Sequence, residues 1–122
     1  MPDSETAVPA SKFAVEHRIL GDVTVLTVHS ALDMLSTPVL TKAVDAAMDQ
    51  SPAALIIDLT EVDFLASVGM SALVDAHQKY DDNIPLLVVA DGPATGRPMK
   101  LLGLDTVLRM YPSLDTALHQ IQ

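Results

Sequence analysis

Leu55-Ile-Ile-Asp-Leu-Thr-Glu-Val-Asp-Phe-Leu-Ala-Ser-Val-Gly-Met-Ser-Ala-Leu73 is the stretch whose reading decides the fold. It opens as an unbroken apolar run, the pattern of a strand covered on both faces. The strand is predicted to end at Asp58, with a short loop after it and a helix starting at Ser67. Open α/β sheets place their ligand and contact sites where the carboxyl end of a strand feeds a helix start. Ser67 is therefore the first residue to question.

Outward from this stretch, the same grammar repeats. Ala53 to Ile57 and Leu86 to Ala90 are both apolar without alternation. Between them Met70, Leu73, Val74 and His77 recur at helical spacing, and Asp81-Asp82-Asn83 stops the helix. Strand, helix and strand predict one right-handed crossover between parallel strands. Upstream, Phe13, Val15, His17 and Ile19 alternate with Lys12, Ala14, Glu16 and Arg18. This predicts a half-exposed strand, turned at Gly21-Asp22 into a second strand from Val23 to His29. Ser36-Thr37-Pro38 predicts a helix start, because Pro is tolerated in a first turn where its missing donor is not needed. Leu40, Ala43, Val44, Ala47 and Met48 form that helix's apolar stripe, and Gln50-Ser51-Pro52 ends it.

Downstream, a short helix is predicted from about Thr95 to Leu102, with Gly103 as its left-handed cap. Val107 to Tyr111 reads as a last short strand. Ser113 then caps a final helix with Leu114, Ala117, Leu118 and Ile121 on one face. The expected fold is α/β: one domain over residues 12–122, with a mixed sheet, an N-terminal hairpin, central parallel strands and about four α-helices. Residues 1–11, with two prolines, two serines and two acids, read as a flexible tail.

Composition narrows the function. The 122 residues carry 16 acids and 7 bases, a formal charge of −9. Nucleic acid and anionic membrane need clustered Lys and Arg, so both are poor partners. A basic protein surface suits this charge, and so does simple solubility. There is no Cys, which excludes disulfides and thiolate chemistry. No apolar run reaches the roughly 18 residues of a membrane span, and the N-terminus lacks the features of a signal peptide. A cytoplasmic protein is expected.

Ser67 admits two readings. As an N-cap it would offer its oxygen to backbone N–H groups one turn in, a contribution of about 1 kcal/mol over Ala. As a modification site it would place a phosphate at the positive end of the helix, where the fold tolerates it. In a contact surface that phosphate adds about −1.5 to −2 charge and breaks the contact. Ser67, Ser71, Asp75 and Gln78 follow at spacings of four, four and three. They predict a polar stripe bordered by Val68 and Met70. An ordinary solvated face has the same spacing.

The run Asp58-Leu-Thr-Glu-Val-Asp-Phe-Leu-Ala-Ser-Val-Gly-Met70 resembles the signature of the STAS domain family, the anti-sigma factor antagonists of bacteria. In that signature a strand ending in Asp-Leu-Ser leads to Phe-Met/Leu-Asp-Ser-Ser/Thr-Gly-Leu. The Ser after its Asp is the phosphoacceptor and maps onto Ser67; the Gly maps onto Gly69. A second motif, Gly-Glu-Leu/Ile-Asp, maps onto Ser30-Ala31-Leu32-Asp33. The resemblance spans about residues 12–122 and implies a STAS-type fold. It also implies an unphosphorylated protein that binds an anti-sigma factor of serine kinase type and so frees a sigma factor. Phosphorylation of Ser67 by that kinase would end the association, and a phosphatase would restore it. Asp33, Ser67, Val68, Gly69, Met70, Ser71 and Asp75 are the expected partner-binding residues. The chain would be ligand and substrate rather than enzyme, with no cofactor of its own. Three departures stand out: Ala66 replaces the family Asp, Val68 replaces Ser or Thr, and Ser30-Ala31 replaces Gly-Glu.

Other chemistries lack their parts. Ser67 has no leading Gly for a nucleophile elbow, and His77 lies about three turns along the same helix. His17, His29, His77 and His119 show no metal-ligand spacing. Gly92-Pro93-Ala94-Thr95-Gly96-Arg97 lacks the Lys-Ser/Thr of a P-loop and reads as the entry to the short helix. Within the same fold, an unphosphorylated scaffold or interaction module of a signalling assembly is the alternative.

Overall fold

A computed structural model describes residues 13–121; the predicted tail, Lys12 and Gln122 lie outside the described residues. The elements run β1 (Ala14–Leu20), β2 (Val23–Leu32), α1 (Thr37–Asp49), β3 (Ala54–Leu65) and α2 (Ser67–Tyr80). They continue with β4 (Leu86–Val89), α3 (Gly96–Leu101), a 3-10 turn at Leu104–Thr106, β5 (Arg109–Tyr111) and α4 (Leu114–Ile121). The sheet order is β1-β2-β3-β4-β5. β1 pairs antiparallel with β2, and all later pairs are parallel. The α/β fold expected from the sequence is present, with its hairpin, parallel centre and four helices.

The apolar runs of β3 and β4 follow from their position between two layers. Leu55, Ile57, Leu59, Leu86 and Val88 face α1 and α2, packing on Leu40, Val44 and Leu73. Ala54, Ile56, Leu87 and Val89 point the other way, under Ala117, Leu114, Leu118 and Ile121 of α4. Each fully buried Leu, Ile or Val contributes about 1.5–3 kcal/mol. The α4 start is as predicted: Thr116 N–H donates to Ser113 Oγ at 3.1 Å. Gly103 has φ +77°, the left-handed residue after α3. At the hairpin only Gly21 of Gly21-Asp22 has positive φ, +66°, the pattern of a type II′ turn.

Two expectations need correction. β3 does not stop at Asp58 but continues to Leu65, because β2 also runs on to Leu32 and supplies a partner. His29 pairs with Glu61, Ser30 with Val62, Ala31 with Phe64 and Leu32 with Leu65, across two register shifts. The shifts leave Leu59, Val62 and Leu65 buried, every third residue, with exposed residues between them. A period of three is not a strand signal, so the segment reads as loop. In β1, Phe13 and Val15 pack against the core, but His17 is exposed and Ile19 is 67% exposed. β1 is an edge strand facing Ala43, Ala46 and Ala47 of α1, side chains too short to cover it.

Candidate functional site

The carboxyl ends of β2, β3 and β4 form one end of the molecule, and Ser67 sits there. The N-cap of α2 is Ala66, extended at ψ 163°, and it makes no side-chain cap bond. This corrects the capping role expected of Ser67. The cause is the longer β3: Ala66 N–H still donates to Leu32 O at 2.9 Å, as the last rung of the β2–β3 ladder. The Ala66 carbonyl then accepts Gly69 N–H at 3.0 Å and Met70 N–H at 3.2 Å, which starts the helix. Ser67 is thus the first helical residue and is exposed. Its hydroxyl does not cap the helix, and it lies in the turn where backbone N–H groups have no intrahelical acceptor.

Gly69 is buried, so it offers no side chain to a partner. A Cβ there would lie 2.9 Å from Leu32 Cγ and 3.0 Å from Leu65 Cδ1. Its role is to let α2 start directly on the ends of β2 and β3. Gly96 does the same for α3: a Cβ there would lie 2.8 Å from Asp91 Cα. The turn from Gly92 to Arg97, closed by Arg97 N–H donating to Gly92 O at 2.9 Å, is a helix entry as expected.

Asp33 leaves the end of β2 and organises the next loop. Its Oδ1 accepts Leu35 N–H at 3.0 Å and Ser36 N–H at 3.1 Å. Ser36 Oγ accepts Asp33 N–H at 2.9 Å and donates to Ala31 O at 2.7 Å. The Ser36 backbone N–H, then its hydroxyl, hold the Asp33 carboxyl below its ordinary range. This turn presents Met34 at 75% and Leu35 at 85% exposure.

Those two residues belong to a set that sequence reasoning missed. Val39 in the first turn of α1, Phe64 near the end of β3, and Leu101 and Leu102 at the end of α3 are also exposed; so is Val68 of α2, which the sequence already placed beside the polar stripe. Met34, Leu35, Val39, Phe64 and Val68 lie in segments next to the carboxyl ends of β2 and β3, and Leu102 lines the groove beside Ser67. Single exposed apolar residues are ordinary, whereas a contiguous exposed apolar patch is the usual mark of a contact surface. One signal was available: Met34-Leu35 lies between an Asp turn and a helix start, where no periodic face can take both inward.

The polar stripe of α2 is as the spacing predicts: Ser67, Ser71, Asp75 and Gln78 are all exposed. Met70 is half-buried and packs against the core, while Val68 is exposed beside the stripe. Leu102 and Leu104 approach from the far side. They close a shallow groove along Ser67, Met70, Ser71, Val74 and Asp75. Asp33 and the stripe thus share one end, linked through Leu32 and Ala66.

Among the described residues no histidine is placed to act as a base on Ser67. His77 is ten residues on, about 15 Å along the helix at 1.5 Å per residue. Its Nδ1 faces Asp81 Oδ1 at 3.7 Å, too long for a hydrogen bond. Asp81 instead ties the far end of α2 to the sheet. It accepts Leu86 N–H at 2.9 Å and Arg109 Nε at 3.0 Å. Burial pushes the Asp81 carboxyl up, but Arg109 and the Leu86 N–H outweigh it and hold it below its ordinary value. No group of three His, Asp or Glu residues is placed to hold a metal among the described residues. No helix there is long and apolar enough to cross a membrane.

Comparison with known proteins decides the family. The model of the STAS domain family matches residues 14–117. The chain belongs to the STAS domain family. It is similar to anti-sigma-F factor antagonist RsfB of Mycobacterium tuberculosis, 36% identical over 117 residues, covering 96% of this chain and 89% of the relative. Among solved structures it resembles an anti-sigma factor antagonist from Mycobacterium paratuberculosis. That match has 39% identity and a TM-score of 0.86, covering 95% of this chain and 98% of the other. The unphosphorylated form of the anti-sigma factor antagonist SpoIIAA shares the fold, with a TM-score of 0.72 at 13% identity over 88% of this chain and 96% of the other. The bulged β2–β3 extension, the Gly69 contact and the exposed Ser67 all lie within the matched residues 14–117.

Proposed function

We propose that this STAS domain is an anti-sigma factor antagonist working in the cytoplasm. It binds an anti-sigma factor of serine kinase type through the Ser67 end, and so releases the sigma factor. The observation that carries the reading is an exposed serine at the first position of α2, with exposed Val68 next to it and exposed Leu102 lining the same groove. Such a surface suits docking, and its centre carries a group that can be modified. Relatives at 36–39% identity that bear the name anti-sigma factor antagonist support the partner class. Val68, Met70, Ser71 and Asp75 extend the contact along α2, and Asp33 acts by holding Met34 and Leu35 outward.

Phosphorylation of Ser67 by the bound kinase ends the association, and a phosphatase reverses it. The added dianion sits beside first-turn N–H groups, so the helix tolerates it while the apolar contact does not. The protein itself acts as ligand and substrate, not catalyst. The test is titration of the cognate kinase-type anti-sigma factor with wild type, Ser67→Ala and Ser67→Glu. Ser67→Glu is expected to bind more than about tenfold more weakly, a loss of roughly 1.4 kcal/mol. Ser67→Ala is expected to bind normally but take no label from the kinase and ATP. Equal affinity of wild type and Ser67→Glu refutes the switch; label persisting on Ser67→Ala assigns it to another hydroxyl.

A further inference from the structure

We propose that the crevice between α1 and α2 binds a small cationic ring compound, an ammonium group carried on an apolar ring of benzene size. The two helices part above β3 and leave a cavity of about 140 Å³. Ile57 forms its floor, Leu40 and Val44 one wall, and Leu73 and Ala76 the other. Ala76 is small where a larger residue would close the gap. An enclosed apolar cavity of roughly 150 Å³ takes up benzene; this crevice has a comparable volume and an apolar floor, and opens to solvent past Thr41, Asp45, Asp75, Lys79 and Tyr80. The volume and the apolar floor have room for a single apolar ring.

The mouth adds a charge requirement. Asp45, Asp75 and Lys79 stand around it. Asp45 is already engaged: the Tyr80 hydroxyl donates to its Oδ1, and Lys79 Nζ lies 3.4 Å from the same atom. Lys79 also sits 5.1 Å above the Tyr80 ring centroid. This clamp joins the two helices at one end of the crevice and uses up the one cation at its mouth. Asp75 is exposed and forms no ion pair among the described residues. Two carboxylates against one ammonium leave a net negative rim. An anionic ring compound is repelled there and a neutral one gains burial alone. A ring bearing an ammonium group gains burial and the Asp75 carboxylate together.

The test uses benzylamine, added to the full chain at neutral pH and followed by amide NMR shifts. Saturable shifts are expected on Thr41, Ile57 and Ala72 to Tyr80, and none on α4. Benzyl alcohol is expected to bind roughly two- to fivefold more weakly, the value of one exposed charge pair. Asp75→Asn, a surface change that leaves the core alone, is expected to bring benzylamine down to the benzyl alcohol level. Ala76→Leu, with its fold checked by unchanged shifts in β1 and α4, is expected to abolish binding of both. Ethylammonium, which has the charge without the ring, is expected to give no saturable shift. The proposal is overturned if benzylamine shifts do not saturate, if ethylammonium matches benzylamine, or if Asp75→Asn leaves the preference for benzylamine intact.

Discussion

Gly69→Ala separates the packing account of this helix start from any direct role in contact. In an exposed helix interior, replacing Gly by Ala stabilises by about 1 kcal/mol. Here the new methyl meets Leu32 Cγ and Cδ2 at 2.9 and 3.0 Å and Leu65 Cδ1 at 3.0 Å. Leu32 is 0% exposed and Leu65 8%, so neither side chain has open space to retreat into. Overpacking of this kind costs about 1–3 kcal/mol. The difference is a net loss of about 1 kcal/mol, or a fall in Tm of about 4 °C for a domain of this size. Urea unfolding followed by circular dichroism measures it, with Ser71→Ala as the solvent-facing control on the same helix. The control is expected to be neutral or slightly stabilising, since Ala is the better helix former. A Gly69→Ala protein more stable by about 1 kcal/mol would show that α2 does not press on the strand ends, and the account of Gly69 would fail.

Other outcomes follow from neighbouring features. Ser30 holds φ +76° at the β2 bulge, a left-handed conformation that costs a side-chain-bearing residue about 1–2 kcal/mol. Ser30→Gly is expected to stabilise by about 0.5–1 kcal/mol after the entropy of Gly is counted, read as a shift in urea midpoint; destabilisation would mean the Ser side chain makes a contact worth more than the strain. Leu35→Asp is expected to leave stability within about 0.5 kcal/mol, because Leu35 is 85% exposed, yet to weaken partner binding about tenfold or more by calorimetry; unchanged affinity would remove the 33–36 loop from the docking surface. Asp81→Asn is expected to cost about 1–3 kcal/mol at pH 7, where Arg109 loses its charged partner. The folded Asp81 carboxyl is held below its ordinary value, so its contribution is full above the unfolded pKa and is lost as pH falls through the folded one. The gap between wild type and Asp81→Asn should therefore close in acid, and a gap constant down to pH 2 would contradict the ion pair.

The legible parts of this sequence are those where one principle acts alone. The α1 stripe follows helical spacing and its residues are inside; Ser113 caps α4 because nothing else competes for that turn. The strand-to-helix junction was harder because two elements overlap there. Ala66 finishes the strand ladder and begins the helix, so the residue with cap-forming chemistry, Ser67, is one place too late to cap. Leu59 to Leu65 hid as a loop because bulges broke its alternation, and such shifts arise from the partner strand rather than from the segment itself. The exposed end of β1 was misread for a related reason: its apolar residues alternate correctly, but their burial depends on how far alanines of α1 can reach. Gly69 stood out in the sequence through resemblance alone; its steric reason appears only when Leu32 and Leu65 converge from distant parts of the chain.

The length of β3 has one further consequence. β4 ends at Val89, opposite Asp58, and β1 begins opposite His29. Beyond both points, among the described residues, β2 and β3 pair only with each other, as a short two-stranded ribbon of Ser30–Leu32 against Val62–Leu65. At about 3.3 Å per residue it extends roughly 13 Å past the ends of β1 and β4. Its outward residues Asp63 and Phe64 can change without loss of packing, whereas Leu32, Val62 and Leu65 belong to the core. The exposed positions of this tip, Phe64 foremost, are therefore free to be reshaped toward a partner, while its buried positions hold the start of α2 and Ser67 in place.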